Sequence, residues 1–267
     1  MTAAVAVFAS LLAAQGQAVQ LSVPAESDLR AAHVNWDDRT IPMVPAGEVW
    51  LTVVGIDLDL PPGDYAVPIT LEFGSGETRS ISESITVSAG EYPTTELTVE
   101  QRYVELNPED QARAARESRE IAGLYATLTQ ERFWTEPFQV PIPGTRGGRN
   151  FGHRRVFNGQ PRAPHSGADL RAATGTPILA ANRGRVVLAK ELFFSGNAVF
   201  LDHGLGVYSV YLHLSEIEVV SGAVVEKGQL LGLAGATGRV TGPHLHWGAR
   251  VLDARVDPFT LLGLGRN

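Results

Sequence analysis

The chain has 267 residues, of which 44% are hydrophobic and 19% are charged, and its formal net charge is −7. This length suits one large or two ordinary domains. The acidic balance argues against a nucleic-acid-binding face, which would need clustered lysine and arginine. The sequence has no cysteine, which excludes disulfides, thiolate metal ligands and a cysteine nucleophile. A metal site in this chain would therefore use His, Asp or Glu.

Residues 1–18 have the pattern of a signal peptide. Ala3–Ala14 is apolar or small apart from Ser10, and Gly16 to Ala18 offers small residues before a cleavage site. The run is shorter than the ~20 residues that cross a bilayer. The alternatives are an N-terminal anchor or a wrongly assigned start, since no Lys or Arg precedes the run. We expect export to the periplasm or cell envelope, and no membrane-spanning segment in the mature chain.

Residues 19–105 have a β pattern. Val49–Val54 is rich in β-branched and aromatic residues, and apolar and polar residues alternate from Ile69 to Phe73. Short strands at this spacing predict a small β-sandwich of immunoglobulin type. The single histidine of this region, His33, has no partner nearby and is expected to be a surface or packing residue.

A helical connector is predicted for residues 106–136. Asn107 can cap the helix and Pro108 suits its first turn. One apolar stripe follows at helical spacing, formed by Ile121, Leu124, Tyr125 and Leu128. We expect this helix to pack on a neighbouring domain.

Residues 137–267 predict a second domain made of an antiparallel β-sheet. Glycines break the chain into short apolar runs, and no long amphipathic helix is found among them. The predicted strands are Ile178–Ala181, Gly184–Ala189, Ala198–Asp202, Val207–Leu214 and His244–Ala249.

Six of the seven histidines lie in the second half of the chain. His244 and His246 are two residues apart in a predicted strand, so their side chains would project from one face about 7 Å apart. His165 and Asp169 are separated by Ser-Gly-Ala, which suits a tight turn that runs into a strand. Each pair alone is weak evidence, but their combination in one β-rich domain favours a metal site.

Two histidines and one carboxylate leave a fourth position open for water, as in catalytic zinc sites. Hydrolysis also needs a base and an acid, which further histidines can supply near neutral pH. His213, in the apolar segment Tyr-Leu-His-Leu, is available for such a role. Spacing alone does not decide which of His244 and His246 would bind the metal.

Four segments resemble the lysostaphin/LytM family of zinc peptidases. They are PHSGADL, GTPILAANRGRVV, GNAVFLDHGLGVYSVYLHLS and VEKGQLLGLAGATGRVTGPHLHWG, in this order, between Phe151 and Pro258. The β-domain in front is similar, more loosely, to the N-terminal domain of some exported members. The resemblance implies a peptidase that binds one zinc ion per chain and acts on peptidoglycan.

The resemblance also assigns roles to particular residues. It implies that His165, Asp169 and His246 hold the zinc, and that His213 and His244 activate water and stabilise the developing charge. Some members use an upstream Tyr near the site, and no Tyr lies between Phe151 and His165.

Three further residues, Asn158, Arg155 and Arg171, are predicted to contact substrate. His203 is expected to be a turn residue, and no role is predicted for His153.

The sequence therefore predicts a zinc-dependent endopeptidase that hydrolyses the peptide cross-links of bacterial peptidoglycan. A D,D-endopeptidase is favoured, because the chain has a pI of about 5.5 and carries a small β-domain instead of a basic wall-targeting domain. The alternatives are a non-catalytic wall-binding activator of another hydrolase and a general secreted metalloprotease. The sequence leaves open a protein regulator and does not identify one.

Overall fold

The computed structural model describes residues 10–145 and 148–265, and its fold is mainly β, as predicted. The strands are β1 (Leu11–Ala14), β2 (Ala18–Pro24), β3 (Leu29–Trp36), β4 (Arg39–Pro42), β5 (Val44–Ala46), β6 (Val49–Gly55), β7 (Gly63–Phe73), β8 (Thr78–Ser88), β9 (Thr94–Leu97), β10 (Arg154–Phe157), β11 (Gln160–Arg162), β12 (Gly167–Arg171), β13 (Pro177–Leu179), β14 (Gly184–Leu192), β15 (Gly196–Asp202), β16 (Val207–Ile217), β17 (Val224–Val225), β18 (Leu230–Ala234), β19 (His244–Val251) and β20 (Ala254–Val256). The helix α1 spans Pro108–Tyr125, and two 3-10 helices span Gln101–Tyr103 and Pro258–Gly263. Within the described ranges, no helix is long and apolar enough to cross a membrane.

The predicted N-terminal β-sandwich is confirmed. One sheet has the strand order β1-β8-β7-β3-β4, and the other has the order β2-β6-β5. Alternate residues of β7, such as Val67 and Ile69, are fully buried, and they share one core with Leu21 of β2 and Val53 of β6. The period-2 pattern of the sequence therefore directs one face of each sheet into the core.

The sandwich begins before Val19, the first residue of the predicted mature chain. Residues 1–9 of the predicted signal peptide lie outside the described residues. Leu11–Ala14, however, forms β1, which pairs in parallel with β8. The backbone N–H of Gly16 donates to the carbonyl of Ile56 at 2.8 Å. Cleavage after Ala18 would remove β1 from its sheet.

The chain leaves the sandwich before residue 105, where the first domain was predicted to end. Strand β9 pairs in parallel with β10, in a three-stranded sheet of order β11-β10-β9. The predicted helix follows as α1, and the side chain of Asn107 caps it by accepting from the N–H of Asp110 at 2.8 Å. Tyr125 of α1 packs against Phe200 and Tyr208 of the C-terminal sheet. The helix therefore covers one face of that sheet.

The predicted antiparallel sheet of the C-terminal half is also confirmed. Its path runs β12-β19-β16-β15-β14-β17, with β13, β18 and β20 attached to the side. The predicted strands overlap with β13 to β16 and with β19, although their bounds differ by a few residues, whereas β10, β11, β17, β18 and β20 were not predicted.

The sandwich packs against one end of this sheet. A carboxylate of the sandwich, Asp57, forms an ion pair with Arg255 of β20, and Gly55 lies against Val251 at the end of β19. His244 and His246 lie at the other end of β19. These contacts of the β-sandwich are therefore at the end of β19 that is distant from the two histidines.

Candidate metal centre and active site

Three predicted ligands meet where β12 runs beside β19. Asp169 is paired with His246 in the antiparallel register of the two strands, and His165 lies in the short loop that leads into β12. The Nε2 atom of His165 and the Nδ1 atom of His246 are 2.9 Å apart. Each of these nitrogens is 3.0 Å from Oδ1 of Asp169. The three donor atoms therefore form a nearly equilateral triangle.

This triangle fits a metal ion in its size and its chemistry. A tetrahedral zinc ion with ligands at 2.0–2.1 Å holds them about 3.3 Å apart. Metal ligation needs neutral imidazoles and an ionised carboxylate. Burial lowers the pKa of His246 to about 4 and also lowers the pKa of His165. Burial raises the pKa of Asp169, but its polar contacts with His165 and His246 outweigh this effect and hold that pKa well below its usual range.

Asn150 and Arg155 form hydrogen bonds with the predicted ligands Asp169 and His165 and so fix their orientation. The Arg155 guanidinium donates to Oδ2 of Asp169 at 2.9 Å, and the amide of Asn150 donates to the same oxygen at 3.0 Å. The carbonyl of Asn150 also accepts from Nδ1 of His165 at 2.9 Å, which leaves Nε2 of that ring as the donor to a metal. Such outer contacts fix the tautomer and the orientation of metal ligands.

His213 and His244 lie beside the triangle. The ring centres of His213 and His244 are 5.0 Å apart, and that of His213 is 6.0 Å from that of His246. His213 occupies the left-handed region, with φ of 66°, where the register between β15 and β16 shifts. This conformation costs a side-chain-bearing residue about 1 kcal/mol, and bulges commonly redirect a side chain next to an active site. Here the bulge directs the imidazole toward the donor triangle.

Both of these imidazoles have one nitrogen engaged by the backbone. Nδ1 of His213 is 2.9 Å from the carbonyl of Thr237, and Nδ1 of His244 is 2.8 Å from the carbonyl of Gly242. A carbonyl only accepts, so each Nδ1 carries a proton and each neutral ring keeps its lone pair on Nε2. Burial lowers the pKa of His213 to about 3, which keeps this ring neutral at pH 7. Each ring can therefore accept a proton at Nε2.

Two cavities flank the triangle. One, of about 630 Å³, lies on the side of His244 and is lined by Arg171. The other, of about 350 Å³, lies on the side of His213. Arg155 lines both cavities. Part of the wall of the first comes from β9, through Leu97, so the chain that leaves the sandwich helps to form the groove.

Three other residues singled out in the sequence lie outside the triangle. The amide of Asn158, in the β10–β11 turn, donates to the carbonyl of Val99 at 3.0 Å and so links this turn to the segment after β9, and Asn158 lines neither cavity. His203 lies in a turn, as expected, where its fully buried ring bonds to Ser209 at 2.7 Å. His153 bonds to Thr95 of β9 at 2.9 Å.

Sequence reasoning missed Asn150, Thr237 and Arg239. Asn150 supports two ligands, Thr237 orients His213, and Arg239 lines the smaller cavity. None of them has a motif spacing of its own. Asn150 precedes the first resembling segment, whereas Thr237 and Arg239 lie within the fourth resembling segment, in the glycine-rich loop before β19.

The donor triangle and its two adjacent imidazoles have the donor set that a metal-dependent hydrolase needs, and they lie on an antiparallel sheet. The model of Peptidase family M23 matches residues 163–258. The crystal structure of a Pseudomonas aeruginosa protein described as a peptidase M23 is similar with a TM-score of 0.70 and 31% identity, over 91% of this chain and 93% of that chain. The chain belongs to peptidase family M23.

Curated relatives match part of the chain. Peptidoglycan DD-endopeptidase ShyA of Vibrio cholerae is 46% identical over 99 residues, which is 37% of this chain and 23% of the relative. Peptidoglycan DD-endopeptidase ShyC of the same organism is 41% identical over 123 residues, which is 45% of this chain and 28% of the relative. The matches thus cover about a quarter of the length of these relatives.

Proposed function

We propose that this protein is a zinc-dependent endopeptidase that hydrolyses the peptide cross-links of bacterial peptidoglycan. The observation that carries the proposal is the donor triangle of His165, Asp169 and His246, set beside two imidazoles whose Nε2 atoms are free to accept a proton. The names of the Vibrio cholerae relatives support the substrate and favour the D-alanyl cross-link.

In this proposal the three ligands hold one zinc ion, and three protein ligands leave one position for water. A zinc ion held by His165, Asp169 and His246 would supply a bound water of lowered pKa and would polarise a carbonyl. Either His213 or His244 takes the proton from the attacking water at Nε2 and can pass it on to the leaving amine, and the other, when protonated at Nε2, donates to the developing oxyanion. The bound peptide lies in the groove that joins the two cavities, where Arg155 and Arg171 contact it.

The substrate places the protein in the bacterial envelope. We therefore propose that the protein is exported and that its mature chain retains β1. The complete set of five site residues favours an enzyme over a non-catalytic activator, since an activator needs neither the metal nor the paired imidazoles.

Digestion of purified sacculi tests the proposal. The zinc-loaded protein is expected to convert cross-linked muropeptide dimers into monomers without new reducing sugar ends, whereas the matched Asp169→Ala protein is expected to be inactive. New reducing ends would indicate glycan cleavage, and release of free stem peptides would indicate an amidase. Intact sacculi with zinc fully bound would favour the activator, and comparable cleavage of an unrelated protein such as casein would favour a general metalloprotease.

A further inference from the structure

Three arginines meet in the smaller of the two cavities, and we call this cavity the arginine pocket. Arg155 and Arg162 face each other directly in the β10–β11 hairpin, so their side chains leave the same face of it. Arg239 joins them from the loop before β19. The same cavity is lined by His165, His213 and His246. The pocket therefore opens directly onto the metal ligands.

The positive charge of the arginine pocket is only partly neutralised. Among the described residues, the one carboxylate that pairs with any of the three arginines is Asp169, which pairs with Arg155. Arg162 donates to the carbonyl of Val104 at 2.9 Å, and its buried Nε has no hydrogen-bond partner in the described part of the chain.

Arg239 has no ion pair among the described side chains. Its guanidinium lies over the rings of Phe157 and Phe194, at 4.8 Å and 4.4 Å from their centres. Burial, together with the charges of Arg155 and Arg162, lowers the pKa of Arg239 to about 10. Like charges held together at this depth raise the free energy of the folded protein, and a bound anion would relieve that repulsion.

A carboxylate is the anion that suits this pocket. Guanidinium groups bind carboxylates through paired, charge-assisted hydrogen bonds, and stacking on aromatic rings holds the fork in position. Because the pocket adjoins the metal ligands, the carboxylate must lie within about one residue of the scissile bond.

Peptidoglycan peptides differ in whether the carbon that bears the scissile nitrogen also bears a free carboxylate. In a direct D-alanyl cross-link to a diamino-diacid, the carbon that bears the scissile nitrogen also bears a free carboxylate. The same holds for the terminal residue of an uncross-linked D-alanyl-D-alanine stem. In an oligoglycine bridge the same position carries a neutral amide of the continuing chain.

We infer that the arginine pocket, through Arg155, Arg162 and Arg239, binds the carboxylate on the carbon that bears the scissile nitrogen and so selects direct D-alanyl linkages. The inference rests on the proposed peptidase function. It makes Arg239 a specificity-determining residue, and it gives Arg155 a second partner besides Asp169.

The experiment compares substrates that differ only in this carboxylate. One pair is a D-alanyl-diaminopimelate cross-linked dimer and the same dimer with that carboxyl amidated. The second pair is a D-alanyl-D-alanine pentapeptide and its terminal amide. For the zinc-loaded wild type, amidation is expected to lower kcat/KM about 10- to 100-fold, the loss expected for one charge-assisted pair. Preferential cleavage of the dimer would assign the carboxylate to cross-linked stems, and preferential cleavage of the pentapeptide would assign it to terminal stems.

The variant Arg239→Gln is expected to bring the ratio of acid to amide kcat/KM to within about threefold of one, and Arg239→Lys to restore part of the preference. Arg162→Gln provides a second variant if Arg239→Gln fails to fold. The matched control is Arg154→Gln, an exposed neighbour on β10, which should keep the wild-type ratio. A wild type that cuts acid and amide equally, or arginine variants that keep the full preference, would overturn the inference and leave the peptidase proposal intact. A zinc-loaded wild type that cuts none of the substrates would overturn the peptidase proposal itself.

Discussion

The two carboxylate oxygens of Asp169 contact different partners, and His246 lies directly opposite Asp169 in the pairing of β12 with β19. Oδ1 faces Nδ1 of His246 at 3.0 Å, on the side where the ligand atoms converge. Oδ2 is held by Arg155 and Asn150 on the other side. The strand pairing thus places the carboxylate between the metal site and its supporting residues.

This relationship predicts the effect of removing a ligand. The variants Asp169→Ala and His246→Ala are expected to lose stoichiometric zinc, because only three protein ligands would hold it. His244→Ala is the matched control, since its imidazole lies beside the triangle and should leave the zinc content unchanged. Elemental analysis of the folded proteins, checked by circular dichroism, measures this. Equal zinc in the His246→Ala and His244→Ala proteins would contradict the ligand assignment.

The supporting contacts predict a smaller effect. Asn150→Ala removes the amide that donates to Asp169, although the carbonyl that accepts from His165 remains. We expect the dissociation constant for zinc to rise about 10- to 100-fold, as measured by competition with a chelator. Asn158→Ala removes an amide of the same kind outside the cavities and should leave zinc affinity unchanged. An unchanged dissociation constant in Asn150→Ala would show that this amide does not support the site.

Removal of the His213 imidazole is expected to lower activity without loss of the metal. The variant His213→Ala is expected to bind one zinc per chain and to cut muropeptide dimers about 10²- to 10⁴-fold more slowly, because a proton acceptor or oxyanion donor is missing. Zinc content and the rate of dimer cleavage are measured on the same preparation. Loss of zinc in this variant would refute the role given to His213.

The buried ring of His203 is expected to make the free energy of unfolding depend on pH. Burial lowers the pKa of this ring from 6.5 to about 4. Between these two values the unfolded chain binds a proton that the folded protein does not, so the free energy of unfolding falls as the pH falls. The contribution of this residue is roughly 3 kcal/mol over the window.

Urea unfolding of metal-free protein from pH 7 to pH 4 measures this effect. The variant His203→Gln, which has no titrating ring, should lose less stability over the window than the wild type. Parallel pH profiles for the two proteins would contradict the assignment to His203.

Strand β1 predicts that residues 10–18 stabilise the sandwich. Deletion of residues 1–18 removes the pairing of β1 with β8 and the hydrogen bond from Gly16 to Ile56. At about 1 kcal/mol for each hydrogen bond lost, we expect the free energy of unfolding to fall by at least about 2 kcal/mol. Deletion of residues 1–9 is the control and should keep β1 in place. Equal stability of the two truncated proteins would show that β1 is dispensable and would allow cleavage after Ala18.

The local pattern of apolar, polar and glycine residues in the sequence predicted most of the fold. The period-2 alternation around Ile69 and the glycine breaks between Gly184 and Gly206 predicted strands that the structure contains, because one face of each sheet must be apolar to be buried. The Asn107 cap predicted the start of α1 for a similarly local reason. Strand β1 was missed because its apolar, small residues suit a signal peptide equally well, and only pairing with β8 distinguishes the two.

The sequence by itself determined that this chain carries histidine and aspartate at spacings suited to a metal site, and its resemblance named His246 as the ligand of the pair. Only the tertiary structure decided which atoms converge. The register of β12 on β19 places Asp169 opposite His246, and a bulge turns His213 toward them. The arginine pocket likewise exists only because a hairpin and a distant loop fold together. Spacing along a chain fixes which residues share a strand face, whereas contacts between distant segments depend on sheet register and loop packing.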